Sequence, residues 1–120
     1  MRNQPKTEIV RLEINQSIVK VMLNRADKHN AMNIQMIQEL IEIFEWTSTY
    51  SVGIQNSLID TDGNFNFRVL VLSGSGENFC AGADINMMRD AGAKSSEENR
   101  VDSERLDRLF NSLWAHPCFT

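Results

Sequence analysis

VLVLSGSGENFCAGADI, residues Val69 to Ile85, decides how this chain folds. Val69 to Leu72 is a continuous apolar run. Such runs are typical of strands buried on both faces, as in parallel sheets. The stretch from Ser73 to Ile85 then carries three of the chain's six glycines. Small residues there let another group approach the backbone closely. Cys80, Ala81, Gly82 and Ala83 offer no bulky side chain, and Asp84 is a good helix N-cap. The segment therefore leaves backbone N–H groups at a helix start facing open space, which suits a developing oxyanion. Two phosphate-binding readings fail. GSGENF has Phe79 where a dinucleotide fingerprint needs its third glycine, and no Lys-Ser or Lys-Thr follows as in a P-loop.

Upstream, EIVRLEIN (residues 8 to 15) alternates Val10, Leu12 and Ile14 with Arg11, Glu13 and Asn15, a half-buried strand. A turn at Asn15 to Ser17 and a second strand, Ile18 to Leu23, predict a hairpin. After the polar NRADKHN the period changes to helical. Met36, Ile37, Leu40, Ile41 and Phe44 share one face, with Gln38, Glu39 and Glu42 opposite and Asn33 as N-cap. Residues 50–67 show little periodicity and read as a loop insertion with turn chemistry at Asp62 to Asn64. DTDGN is not a calcium loop, because Val71 stands where the bidentate Glu belongs.

Downstream, Asp84 to Asp90 predicts a short helix. Ser95 and Glu98 have capping-box spacing before a long helix with Leu106, Leu109, Phe110, Leu113 and Trp114 as its apolar stripe. The chain closes on WAHPCFT. Pro117 ends the helix, His116 favours the helix dipole, and Cys118 to Thr120 opens another strand, so the fold is expected to be cut part-way. The whole pattern is α/β.

Composition narrows the function. The 120 residues suffice for one domain, and a net charge of -4 with scattered basic residues excludes a nucleic-acid footprint. No apolar stretch is long enough for a bilayer, and no signal-peptide pattern opens the chain. Two cysteines make no disulfide framework, which points to a reducing, cytoplasmic setting. Cys80 lacks a paired base at His29 or His116 and reads as an inert small residue. No His, Cys or carboxylate cluster has metal spacing.

MLNRADKHNAM (Met22 to Met32), followed after a helix by VLVLSGSGENFCAGADI, resembles the enoyl-CoA hydratase/isomerase family, the crotonase superfamily. The resemblance covers most of residues 1–120 except the insertion at 50–67. It implies the N-terminal portion of a spiral of ββα units. The helices after Ile85 most resemble the methylglutaconyl-CoA hydratase branch. At matching positions the resemblance implies five roles. The Ala83 N–H is one of two donors to a thioester oxygen. The Ala81 carbonyl accepts from the CoA adenine. Asp84, Ile85 and Asn86 line the acyl-CoA path. The NRADKHNA loop touches CoA, with Lys28 as phosphate partner. No cofactor is implied beyond the CoA of the substrate, and the partners are acyl-CoA and two or five further copies, as a homotrimer or a dimer of trimers.

The same resemblance places the second oxyanion donor and the two water-activating carboxylates beyond Thr120. The expected activity is hydration of an enoyl-CoA, with 3-methylglutaconyl-CoA as the acyl group. Isomerase and decarboxylase chemistry, and a non-catalytic CoA-binding or assembly fragment, stand beside it. The 120 residues alone are expected to be inactive and marginally folded. For a 3-methylglutaconyl substrate, Arg89 and Lys94 are the nearby cations for its second carboxylate.

Overall fold

The computed structural model describes residues 2–120. Strands β1 (Val10–Asn15) and β2 (Ile18–Leu23) pair antiparallel, from Val10 opposite Leu23 to Asn15 opposite Ile18. Gln16, with a φ of 54°, turns the hairpin between them. After a 3-10 turn at Ala26–Lys28 comes helix α1 (Ile34–Thr49), then the short α2 (Val52–Gln55). Strand β3 (Val69–Gly74) lies parallel to β2, with Ile18 opposite Val69 and Leu23 opposite Gly74. Parallel neighbours need a crossover, and α1 supplies it. Helices α3 (Ile85–Ala93) and α4 (Ser96–Trp114) follow. Sheet order is β1-β2-β3.

The predicted alternation explains the core. Val10 on β1, Val19, Val21 and Leu23 on β2 and Leu70 on β3 bury themselves under Met36, Ile37, Leu40, Ile41, Ile43 and Phe44 of α1. Each such side chain contributes about 1.5–3 kcal/mol when fully buried. Asn33 caps α1 as expected, its side chain accepting from Met36 N at 2.9 Å. Ser95 and Glu98 form the capping box that starts α4.

Four expectations need correction. Glu39 does not sit on a solvated face. It is buried, and its Oε1 accepts from the N–H groups of Glu8, Ile9 and Val10 at 3.1, 3.0 and 2.9 Å. The entry to β1 has donors with no strand partner, and a carboxylate satisfies three at once. Strand β3 is not buried on both faces, since Val71 is 42% exposed beside the exposed Lys20 of β2. Only part of the predicted α4 stripe meets α1: Leu109 is buried and Leu106 and Leu113 are half-buried, while Phe110 and Trp114 lie further round the helix in solvent.

The fourth concerns His116, which is an internal bridge rather than a dipole charge. Its Nδ1 accepts from Cys118 N at 3.1 Å. That leaves Nε2 to donate to Thr47 Oγ1 at 2.8 Å, and Thr47 donates in turn to Ile43 O. Burial lowers the His116 pKa and keeps the ring neutral. The same bridge holds the start of the expected last strand, where Phe119 N donates to Arg68 O and Leu70 N to Phe119 O. Phe119 thus sits beside Val69 as a parallel bridge.

Residues 50–67 form a tied excursion. Ser51 and Phe67 close its neck, through Val52 N to Phe67 O and Phe67 N to Tyr50 O, both 2.8 Å. Buried Asn66 donates to the carbonyl and hydroxyl of Ser57. Asp60 gathers the N–H groups of Asp62 and Asn64 around the turn. Arg2 stacks its guanidinium 4.4 Å from the Tyr50 ring centre and pairs with Asp60.

Candidate functional site

The site begins where β2 and β3 both end. Their C-terminal ends open into two loops, residues 24–33 and 75–84, lying side by side. Open α/β sheets bind ligands at such strand ends. Asn30 clamps the loops together. It is fully buried in a left-handed conformation, φ 57°, which Asn tolerates better than most residues. Its Oδ1 accepts from Arg25 N at 2.7 Å, and its Nδ2 donates to Ser75 O at 2.8 Å and Asn78 O at 2.7 Å. Gly74 makes room for this clamp, since a Cβ there would lie 2.5 Å from Phe79 O and 2.9 Å from Asn30 Nδ2.

Past the clamp the two loops run parallel. Ala81 N donates to His29 O at 3.1 Å, Met32 N to Gly82 O at 2.7 Å, and Asp84 N to Met32 O at 2.9 Å. The last two bonds make a parallel bridge between Met32 and Ala83. In such a bridge the bonds come from the flanking residues, so the N–H of Ala83 itself points away from Met32. Among the described residues nothing accepts from it. Gly82 sets this direction at a φ of 93°, a conformation that side chains disfavour. A Cβ there would touch nothing, so the glycine serves the backbone angle and not the space.

Asp84 anchors the far end. It is buried, and one carboxylate oxygen accepts from Asn86 N at 2.8 Å and Met87 N at 3.1 Å, capping α3. The other pairs with Arg25 Nη1 at 2.7 Å, and the same nitrogen reaches Ala31 O. The Arg25 hydrogen bond, reinforced by the Met87 N–H, holds the Asp84 carboxyl below its ordinary pKa. This carboxylate is fully engaged in fixing the loop.

Ala83 lines a groove of about 300 Å³ between the start of α1 and helices α3 and α4. That is the lower end of the ~300–1,000 Å³ usual for small-ligand sites. Ile34, Ile37, Met87 and Leu106 make its apolar wall. Ile85 and Asn86 lie on the exposed side of α3, Ile85 at 72%. Ala81 and Lys28 are exposed on the two adjoining loops. All six residues expected at the site therefore gather at one end of the sheet. Asn30 and Arg25, which hold that site together, escaped the sequence reading. Their signal was only an Asn-rich loop, and nothing local shows that Asn30 bonds a segment some 45 residues away.

Lys94, an expected partner for an acidic acyl group, is bonded to Asp102 at 2.6 Å. Among the described residues no three His, Cys, Asp or Glu side chains are placed to hold a metal, and no helix is long and apolar enough to cross a membrane.

The family model of enoyl-CoA hydratase/isomerase matches residues 13–117. YhaR of Bacillus subtilis, described as an enoyl-CoA hydratase/isomerase, is 33% identical over 90% of this chain and 33% of its own length. A peroxisomal Delta(3,5)-Delta(2,4)-dienoyl-CoA isomerase of Arabidopsis thaliana is 27% identical over 96% of the chain and 37% of its own. The crystal structure of an enoyl-CoA hydratase from Shewanella pealeana superposes with a TM-score of 0.78 at 30% identity, covering 94% of this chain and 37% of that one. The chain thus spans about a third of the length of these relatives. With both loop motifs in place and the β1–β2–β3 frame shared, the chain belongs to the enoyl-CoA hydratase/isomerase family.

Proposed function

We propose that this protein handles α,β-unsaturated acyl-CoA thioesters and supplies half of the oxyanion hole for their hydration. One observation carries the reading: among the described residues nothing accepts from the Ala83 N–H, which stands beside an apolar groove. In hydration, water attacks the β-carbon and loses a proton. The double-bond electrons move through the α-carbon onto the thioester oxygen, and the enolate is then protonated at the α-carbon. The charge on oxygen is the transient burden. A fixed N–H in a dry groove stabilises it without reorganising, and loss of one such donor costs about 2.7–4 kcal/mol.

The other assignments are those the family resemblance implies, and the gathering of these residues at the same sheet end supports them. The Ala81 carbonyl accepts from the adenine, Lys28 pairs with a CoA phosphate, and Ile85 and Asn86 flank the acyl path. Asp84 acts at that path through the α3 cap, holding Ala83 in position. The acyl group read from the helices, 3-methylglutaconyl, the trimeric assembly and the cytoplasmic setting belong to the same proposal.

A second reading is thioester binding without turnover. Asp102 is the carboxylate on the groove wall among the described residues, and it is engaged by Lys94 and Arg105. With one oxygen committed to each cation, it is not a free carboxylate placed to take a proton from water. Calorimetric titration with acetoacetyl-CoA, alongside a crotonyl-CoA hydration assay, separates the readings. Binding with turnover supports hydration, and binding without turnover supports the second reading. Absence of binding at millimolar thioester contradicts both.

A further inference from the structure

The groove beside Ala83 is not apolar along its whole length. On α4 its wall passes from Leu106 to Arg105, Ser103 and Asp102. The charges there do not cancel. Asp102 Oδ2 holds Lys94 Nζ at 2.6 Å, while Asp102 Oδ1 stands 3.4 Å from Arg105 Nη1. Two cations share one carboxylate, and the short bond belongs to Lys94. Arg105 carries five N–H donors, and the long contact to Asp102 is its only side-chain partner among the described residues.

The surroundings make this imbalance matter. The Arg105 side chain is 28% exposed, so much of its hydration is already lost. The helix that carries it is held in place. Leu106 packs on the core, and Asn99 Nδ2 donates to Ala91 O at 3.1 Å, tying α4 to α3. A partly desolvated guanidinium with spare, fixed donors favours a planar anion that can take two of them. Arg89, the other cation considered for this role, is exposed on α3 and does not line the groove.

We infer that Arg105 receives a carboxylate at the far end of the acyl chain, so that the preferred substrates are CoA thioesters of dicarboxylic acids. This rests on the acyl-CoA reading above. To the 3-methylglutaconyl reading it adds the residue that recognises the second carboxylate. The apolar wall takes the methylene or alkene carbons, and Asp102 keeps the guanidinium oriented without saturating it.

The test is calorimetric titration with glutaryl-CoA and pentanoyl-CoA, which share chain length and differ in the distal carboxylate. The unmodified chain is expected to bind glutaryl-CoA tenfold or more tightly, about the worth of one hydrogen bond to a charged group. Arg105→Gln should bring glutaryl-CoA down to the pentanoyl-CoA affinity and leave the latter unchanged, which also reports that the groove is intact. Arg105→Lys should keep part of the preference. Equal binding of both thioesters by the unmodified chain overturns the inference, as does a preference that survives Arg105→Gln. Failure of both to bind overturns the acyl-CoA reading, and this inference with it.

Discussion

Residues 50–67 and residues 73–84 are both irregular, polar and glycine-bearing, yet they spend their hydrogen bonds differently. The first bonds mainly to itself: Asn66 to Ser57, Asp60 to its own turn, Val52 and Phe67 across the neck. The second is held from outside, by Asn30, His29 and Met32 of the neighbouring loop. A segment that satisfies itself is a structural plug. A segment gripped along one edge keeps the other edge free, and Ala83 is on that free edge. The difference lies in which strand ends the two segments join, and not in composition.

Paired substitutions probe the contrast most strongly. Asn30→Ala and Asn66→Ala each remove a buried amide that makes three hydrogen bonds. Each is expected to cost about 3 kcal/mol, since buried partners are left unsatisfied. Urea unfolding measures this. Only Asn30→Ala should also abolish acetoacetyl-CoA binding under conditions where the chain remains folded. Equal loss of binding in both variants would erase the distinction between plug and site.

Two glycines give a finer version. Gly63 and Gly82 hold φ of 84° and 93°, and an added Cβ meets nothing at either. Gly63→Ala and Gly82→Ala should therefore cost a similar ~1 kcal/mol in backbone strain. Thioester affinity should fall only for Gly82→Ala, because that backbone turn aims the Ala83 N–H.

Acid should act on two anchors in sequence. The His116 pKa is lowered in the fold, so its contribution is present above 6.5 and is lost as pH falls below that value. Protonation takes the Nδ1 lone pair from Cys118 N–H and loosens residues 118–120 first. The Asp84 pKa is also lowered, so its contribution holds above 3.8 and fails as pH drops further. Thermal melts across pH 3–8 should show both steps, the first absent in His116→Gln. The smallest effect is chemical. Burial pushes the Cys118 thiol up to about 11. Iodoacetamide at pH 8 should label half-buried Cys80 well before Cys118.

Much of this was readable from local pattern. The hairpin, the two caps at Asn33 and Ser95, the parallel strand and the opening of a further strand at Phe119 each follow from period or capping chemistry over a few residues. What escaped reading depends on distant partners. Glu39 looks solvated until the unpaired N–H groups of residues 8–10 reach it. Phe110 and Trp114 fit a helical stripe, but α1 is narrow enough to cover only Leu109 and its half-buried neighbours. Ala83 and Ala81 stand out through their motif alone. The bridge to Met32 that frees the Ala83 N–H is a tertiary fact with no local signal.

The central claim concerns one proton, and amide NMR observes it directly. On titration with acetoacetyl-CoA, the Ala83 amide proton should shift downfield and exchange more slowly, while amides of residues 50–67 stay unchanged. An Ala83 amide that remains unperturbed while thioester-dependent shifts appear elsewhere would contradict the account.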